Sequence, residues 1–93
     1  MIRSFAGRET EELYVTGKSR QFPAAIINIG IRKLDYLNAA ARLDDLRVPP
    51  GNRLELLKGK HRGKYSMRIN DQYRIVFSFK AGDAYDVEIT DYH

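Results

Sequence analysis

The sequence predicts one α+β domain over residues 1–93, with an N-terminal strand and two helices packed on one face of a mainly antiparallel, twisted sheet. Three observations predict it. Helical spacing fills the first half, two-residue alternation fills the second, and Val48-Pro49-Pro50-Gly51 breaks the chain between them. Ninety-three residues at 43% hydrophobic content are enough for one core and leave no room for a second.

Residues 1–5 read as a short first strand. Glu9 to Thr16 reads as a short helix, with glutamates early, where the helix dipole favours them, and Gly17 as its stop. Pro23 suits the first turn of a longer helix, in which Ile27, Ile31, Leu34, Leu37 and Ala41 recur at steps of three and four as the core stripe. Asn28, Arg32, Asp35, Asn38 and Arg42 form its polar face, Gly30 allows close packing, and Leu43 and Leu46 close a last turn. Beyond the break, Leu54 and Leu56 suggest a strand, and Lys58 to Lys64 a loop. Tyr65, Met67, Ile69, Tyr73, Ile75, Phe77 and Phe79 then make one apolar face of a hairpin whose turn takes Asn70, Asp71 and Gln72. A turn at Ala81–Asp83 leads to a last strand, with Tyr85 opposite Phe79 and Tyr85, Val87 and Ile89 facing the core.

The hairpin register has a consequence on the other face. Ile69 meets Tyr73, Met67 meets Ile75, and Arg68 falls across from Arg74. Like charges placed opposite each other destabilise a sheet by some tenths of a kcal/mol, so an anionic ligand is the simplest reason for the pair. Ser66, Val76, Glu88 and Thr90 share that face, and Tyr92 falls opposite Gln72. The charge pattern agrees. Residues 53–74 hold seven Lys/Arg against two acids, a local +5 within a chain of net +4, where a phosphate backbone can be engaged.

Several classes are excluded or disfavoured. Without cysteine there is no disulfide, thiolate nucleophile or zinc-thiolate site. His61 and His93 alone make a metal site improbable, the scattered glycines build no phosphate loop, and no cofactor is expected. The N-terminus lacks the apolar run of a signal peptide and nothing approaches a membrane span, so the cytoplasm is the expected location. What remains suits RNA cleavage by the RNA's own 2′-hydroxyl, which needs cations around the phosphorane and groups that move protons, but no protein nucleophile. Each residue also has an ordinary explanation: Arg68 and Arg74 paired with Glu88 or Asp86, Glu55 paired with Lys58 at a strand edge, and loop lysines merely solvated.

Pro50-Gly51-Asn52-Arg53-Leu54-Glu55, the hairpin from Tyr65 to Ile75 and the ending Val87 to His93 resemble the HigB toxins, also called plasmid-maintenance killer proteins, of the RelE superfamily. The resemblance spans essentially the full length and implies a RelE-like, microbial-ribonuclease-like fold. It also implies an mRNA endoribonuclease acting in the ribosomal A site, bound to mRNA and the small ribosomal subunit. A HigA-like helix-turn-helix antitoxin would neutralise it and bring it to promoter DNA only as a complex; no membrane partner is implied. Position by position, Lys58 and Arg74 match cations near the scissile phosphate, Asp91, Tyr92 and His93 match the catalytic ending, and Arg68 is basic in many relatives. Some relatives carry a catalytic histidine where this chain has Glu55, so the general base is either Glu55 or His93, with His93 favoured.

The expected catalytic set is thus Lys58, Arg68, Arg74, Asp91, Tyr92 and His93. Glu55, Lys60, His61, Arg62, Lys64 and Asn70 are expected to bind substrate. Two rivals stand beside it: a non-catalytic module that only pairs with a regulator or the ribosome, and a DNA-binding regulator, for which a recognition helix is missing.

Overall fold

The computed structural model describes residues 1–91; the expected catalytic residues Tyr92 and His93 lie outside the described residues. Helices α1 (Arg8–Thr16) and α2 (Ala24–Ala39) are followed by short 3-10 turns at Leu43–Arg47 and Pro50–Asn52. Strands β1 (Glu55–Leu56), β2 (Tyr65–Arg68), β3 (Tyr73–Lys80) and β4 (Asp83–Asp91) form one antiparallel sheet in the order β1-β2-β3-β4. Among the described residues, no helix is long and apolar enough to cross a membrane.

The alternation of residues 65–79 explains the core. Met67, Ile69, Ile75 and Phe77 point to one face of the sheet and are buried, with Ala84, Val87 and Ile89 from β4. Leu13 of α1 and Ile26, Leu34 and Leu37 of α2 close over them. Full burial of one such side chain contributes roughly 1.5–3 kcal/mol, so this layer dominates the folding energy. Gly30 lies where an added Cβ would sit 3.7 Å from both Leu13 and Ile89. It lets α2 settle onto the sheet without a Cβ spacer, as its place in the helix predicts.

The structure corrects four expectations. The first is the N-terminal strand. Residues 1–5 run along the outer edge of β4 and make only isolated parallel bridges, Ile2 with Ala84 and Phe5 with Val87. They still occupy that edge, since Arg3 N donates to Ala84 O and Val87 N to Ser4 O. Farther along, Ile89 N donates to the buried Thr10 Oγ1 at 2.9 Å.

Second, the buried stripe of α2 is Ile26, Gly30, Lys33, Leu34 and Leu37, and the helix stops before Ala41. Ile27 and Ile31 lie half-buried at its flank, because the apolar arc is wider than one stripe and the helix rolls toward Gly30.

Third, the β3–β4 turn is a two-residue one, with Lys80 opposite Asp83 and positive φ at Ala81 (51°) and Gly82 (84°). That is the twist hairpin strands favour.

The fourth follows from it. Ser78, not Phe79, pairs with Tyr85, and the register shifts between Val76 and Ser78, with Asp86 at φ 53°. This β-bulge adds one residue to β4 and reverses its facing. Ala84 therefore takes the core position assigned to Tyr85, and Tyr85 joins Ser4, Ser78, Lys80 and Asp86 around a surface cavity of about 430 Å³. Beyond the bulge the expected register is restored, with Ile75 opposite Ile89 and Arg74 opposite Thr90.

Candidate active site

Arg68 and Arg74 are cross-strand partners, as the turn at Asn70–Gln72 requires. Asn70 fixes that turn. Its Oδ1 accepts hydrogen bonds from Gln72 N at 2.9 Å and Tyr73 N at 2.7 Å, while Ile69 N donates to Tyr73 O. A side chain that accepts from the backbone two and three residues on is the usual reason for asparagine in a tight turn.

The two guanidinium groups have different surroundings. Arg68 is ion-paired with Asp71, at the exposed rim. Arg74 is only 8% exposed. Its Nε donates to Ser66 Oγ at 2.8 Å, its Nη2 donates to Arg53 O at 2.7 Å, and Glu55 Oε1 lies 3.9 Å from the same Nη2. Two donors committed to fixed acceptors orient the guanidinium plane. The sheet face is therefore not open here: the segment from Arg53 to Glu55 lies across it, and Ser66 beneath is fully buried.

The segment that supplies the Arg53 carbonyl is itself held in place. Asn52 is buried and its Nδ2 donates to Leu46 O at 3.1 Å and Val48 O at 3.4 Å. Arg53 adopts a left-handed backbone (φ 44°), and its N–H returns to Pro50 O. Among the described residues, Asn52 Oδ1 and Thr90 Oγ1 are buried without a hydrogen-bond partner. Thr90 stands across from Arg74.

The ordinary pairings drawn from the sequence are replaced by these contacts. Arg68 meets Asp71 rather than Glu88 or Asp86, and Glu55 faces Arg74 rather than pairing with Lys58. Asp91 stands opposite Tyr73 and accepts from Gln72 Nε2 at 3.0 Å, which brings it to the turn end of the sheet. So Glu55, Arg68, Asn70, Arg74 and Asp91 gather at one end.

Lys58, Lys60, His61, Arg62 and Lys64 come from the chain at the other end of β2. They form the loop beyond Leu56 and Tyr65, closed by Leu57 N donating to Lys64 O. Tyr65 is three residues along β2 from Arg68, about 10 Å of strand. The basic zone of the sequence is thus supplied by two stretches of backbone, the 58–64 loop and the β2–β3 hairpin. Among the described residues, no three of His, Cys, Asp and Glu come together as a metal ion would require.

Sequence reading missed Lys33. It is 5% exposed, and its Nζ donates to Arg68 O at 2.7 Å. Burial, followed by the charges of Arg32, Arg68 and Arg74, holds its ammonium below the ordinary lysine range. The spacing contains the signal: position 33 is seven after Ile26 and four before Leu37. It was hidden because a lysine is not counted in an apolar stripe.

Comparisons with known proteins place the chain in a family. The chain from residue 3 to 93 matches the profile described as "RelE-like toxin of type II toxin-antitoxin system HigB". It is 42% identical over 85 residues, 90% of each chain, to "Toxin HigB-1" of Vibrio cholerae serotype O1. It is 30% identical over the full length of both chains to "Endoribonuclease HigB" of Proteus vulgaris. In fold it is similar to a chain of the YoeB-YefM complex from Staphylococcus aureus, at a TM-score of 0.58 and 18% identity, covering 100% of this chain and 98% of that one. With the profile and both relatives spanning nearly all of it, the chain belongs to the HigB-like toxin family of RelE-like type II toxins.

Proposed function

We propose that this toxin is a metal-independent endoribonuclease that cuts translated mRNA in the ribosomal A site, using the RNA's own 2′-hydroxyl as nucleophile. The observation that carries the reading is the Arg68–Arg74 rung, with Arg74 held by Ser66 Oγ and Arg53 O. Planar guanidinium donors match phosphate oxygens in pairs. A donor fixed before the reaction needs no reorganisation as charge builds on the phosphorane, and losing one such donor typically costs roughly 10²–10³ in rate.

The other roles follow from position and residue type. Arg74, Arg68 and Lys58 stabilise the phosphorane. Asp91 holds the chain end, where His93 moves protons and Tyr92 supports it, and Glu55 lies close enough to Arg74 to be the alternative base. The loop of Lys60, His61, Arg62 and Lys64 receives the RNA backbone farther along. Asn70 serves the site through its turn. The protein acts in the cytoplasm, with mRNA and the small ribosomal subunit as targets and a HigA-like helix-turn-helix antitoxin as the neutralising partner that carries it to promoter DNA.

Production of the chain without its antitoxin, followed by mapping of cellular mRNA ends, tests the proposal. New ends within translated codons that disappear in Arg74→Ala are expected. A fully toxic, RNA-cleaving Arg74→Ala protein would remove Arg74 from the site. One feature favours a second reading, a binding module without turnover: the Glu55 carboxylate draws on the charge of Arg74, where some relatives carry histidine. Under that reading the chain binds ribosomes without new mRNA ends, and Glu55→His creates cleavage.

A further inference from the structure

Lys33 is the least expected charge in the core. α2 delivers it among Ile26, Gly30, Leu34 and Leu37, on the side that packs against the sheet. A lysine there loses hydration, and three cations, Arg32, Arg68 and Arg74, act on it from nearby. Replacing a buried charge by an apolar residue of similar size is often neutral or stabilising. Stability alone therefore gives no reason for lysine at this position.

The contact it makes supplies one. β1 is only two residues long and pairs with Ser66 and Tyr65. At Arg68, β2 has already lost its neighbour on that side, just where the strand must hold Arg68 against Arg74. The Arg68 carbonyl there accepts from Lys33 Nζ at 2.7 Å, so α2 replaces the missing strand as the support for this backbone. The opposite strand is held independently, through the Arg74 contacts to Ser66 and Arg53.

We infer that Lys33 is a positioning residue of the phosphate site: from the core side of the sheet it clamps the Arg68 carbonyl and so fixes the β2 backbone that carries the Arg68 side chain across from Arg74. The inference rests on the endoribonuclease reading of the Arg68–Arg74 rung and adds a residue that does not touch RNA. Lysine suits the place for two reasons. Its long stem crosses the apolar layer, and its ammonium makes a charge-assisted bond to the carbonyl, stronger than a neutral donor's. Its charge also adds to the positive field that a phosphate meets at the arginine pair.

The test compares wild type, Lys33→Met, Lys33→Gln and Arg74→Ala, each purified as the full chain. Single-turnover cleavage of mRNA on programmed ribosomes is followed against toxin concentration, and melting temperatures are recorded in parallel. Lys33→Met keeps the stem volume without a donor, and Lys33→Gln keeps a donor without the charge. The expected result is a saturating rate lowered about 10–100-fold in Lys33→Met, the range an ångström-scale misplacement produces. The half-saturating concentration stays near the wild-type value and the melting temperature is equal or higher. Lys33→Gln recovers part of the rate.

Three outcomes overturn the inference. Wild-type cleavage by Lys33→Met together with an inactive Arg74→Ala sinks it while sparing the site. A Lys33→Met protein whose rate falls only in step with a lowered folded fraction makes the residue structural. If Lys33→Met is unfolded, Lys33→Gln decides, and a folded Lys33→Gln no faster than Arg74→Ala contradicts the clamp. An active Arg74→Ala is a different failure, since it removes the site on which the inference depends.

Discussion

Arg74 serves two purposes at once. It carries charge to the candidate site, and it ties β2, β3 and the 53–55 segment together through Ser66 Oγ and Arg53 O. Truncation therefore leaves a buried hydroxyl and a carbonyl without their donor, at about 1–3 kcal/mol for each group. Arg74→Ala is expected to lose about 2–6 kcal/mol in denaturant unfolding and about 10²–10³ in cleavage. Arg74→Lys restores the charge but not the two-donor geometry, so it is expected to regain some stability and little activity. A lysine variant with full cleavage would mean that charge alone suffices. Asn70 gives a cleaner separation. Asn70→Asp keeps the acceptor for Gln72 N and Tyr73 N, whereas Asn70→Ala removes both bonds, at about 1–2 kcal/mol. If Asn70 acts through the turn, cleavage survives in the aspartate variant and falls in the alanine variant. Equal losses in both would instead place its amide on the RNA.

Among the elements, the hairpin was the most legible, because two-residue alternation and a three-residue polar turn leave one register that keeps the apolar face intact. The rung Arg68–Arg74 followed from that register and is observed. The β4 register was not legible. Nothing in Tyr85-Asp86-Val87 announces a bulge, and a one-residue insertion moves every preceding side chain to the other face. The N-terminal segment was misread for a related reason. A strand and an edge-covering segment share the same extended pattern, and only tertiary pairing separates them. Thr10 shows how firmly that edge is closed, since its hydroxyl takes the Ile89 N–H in the core. Thr10→Val keeps the shape and strands the N–H, so a loss of about 1–3 kcal/mol in unfolding free energy is expected. A neutral substitution would show that the bond contributes nothing net. Asn52 and Lys33 were hidden too, because both are buried polar side chains that donate to backbone carbonyls, a role that hydropathy patterns do not mark.

At the scale of the whole molecule, the unusual electrostatic feature is a cation inside the core. Lys33 has its folded-state pKa lowered, chiefly by burial, so the unfolded chain binds its proton more tightly. Stability then rises with pH from below the folded value up to the ordinary lysine value and levels off above it. Tyr14 acts oppositely. Burial, the charge of Asp35 and a hydrogen bond to it raise its pKa, so the folded chain keeps that proton longer and stability falls as pH climbs past the ordinary tyrosine value. Below that point Lys33 acts without this opposition. Unfolding free energy measured as pH rises toward the ordinary tyrosine value is expected to climb in wild type and to lose that climb in Lys33→Met. The same slope in both proteins would place the titration elsewhere.

The central claim is that the arginine rung stabilises the phosphorane formed when the RNA attacks itself, and the chemistry of the cut ends tests it most directly. Cleavage of ribosome-bound mRNA by the full chain is predicted to leave a 2′,3′-cyclic phosphate upstream and a 5′-hydroxyl downstream, with no cut where the scissile nucleotide is 2′-deoxy. Equal cleavage of the 2′-deoxy message, or 5′-phosphate ends, would contradict it.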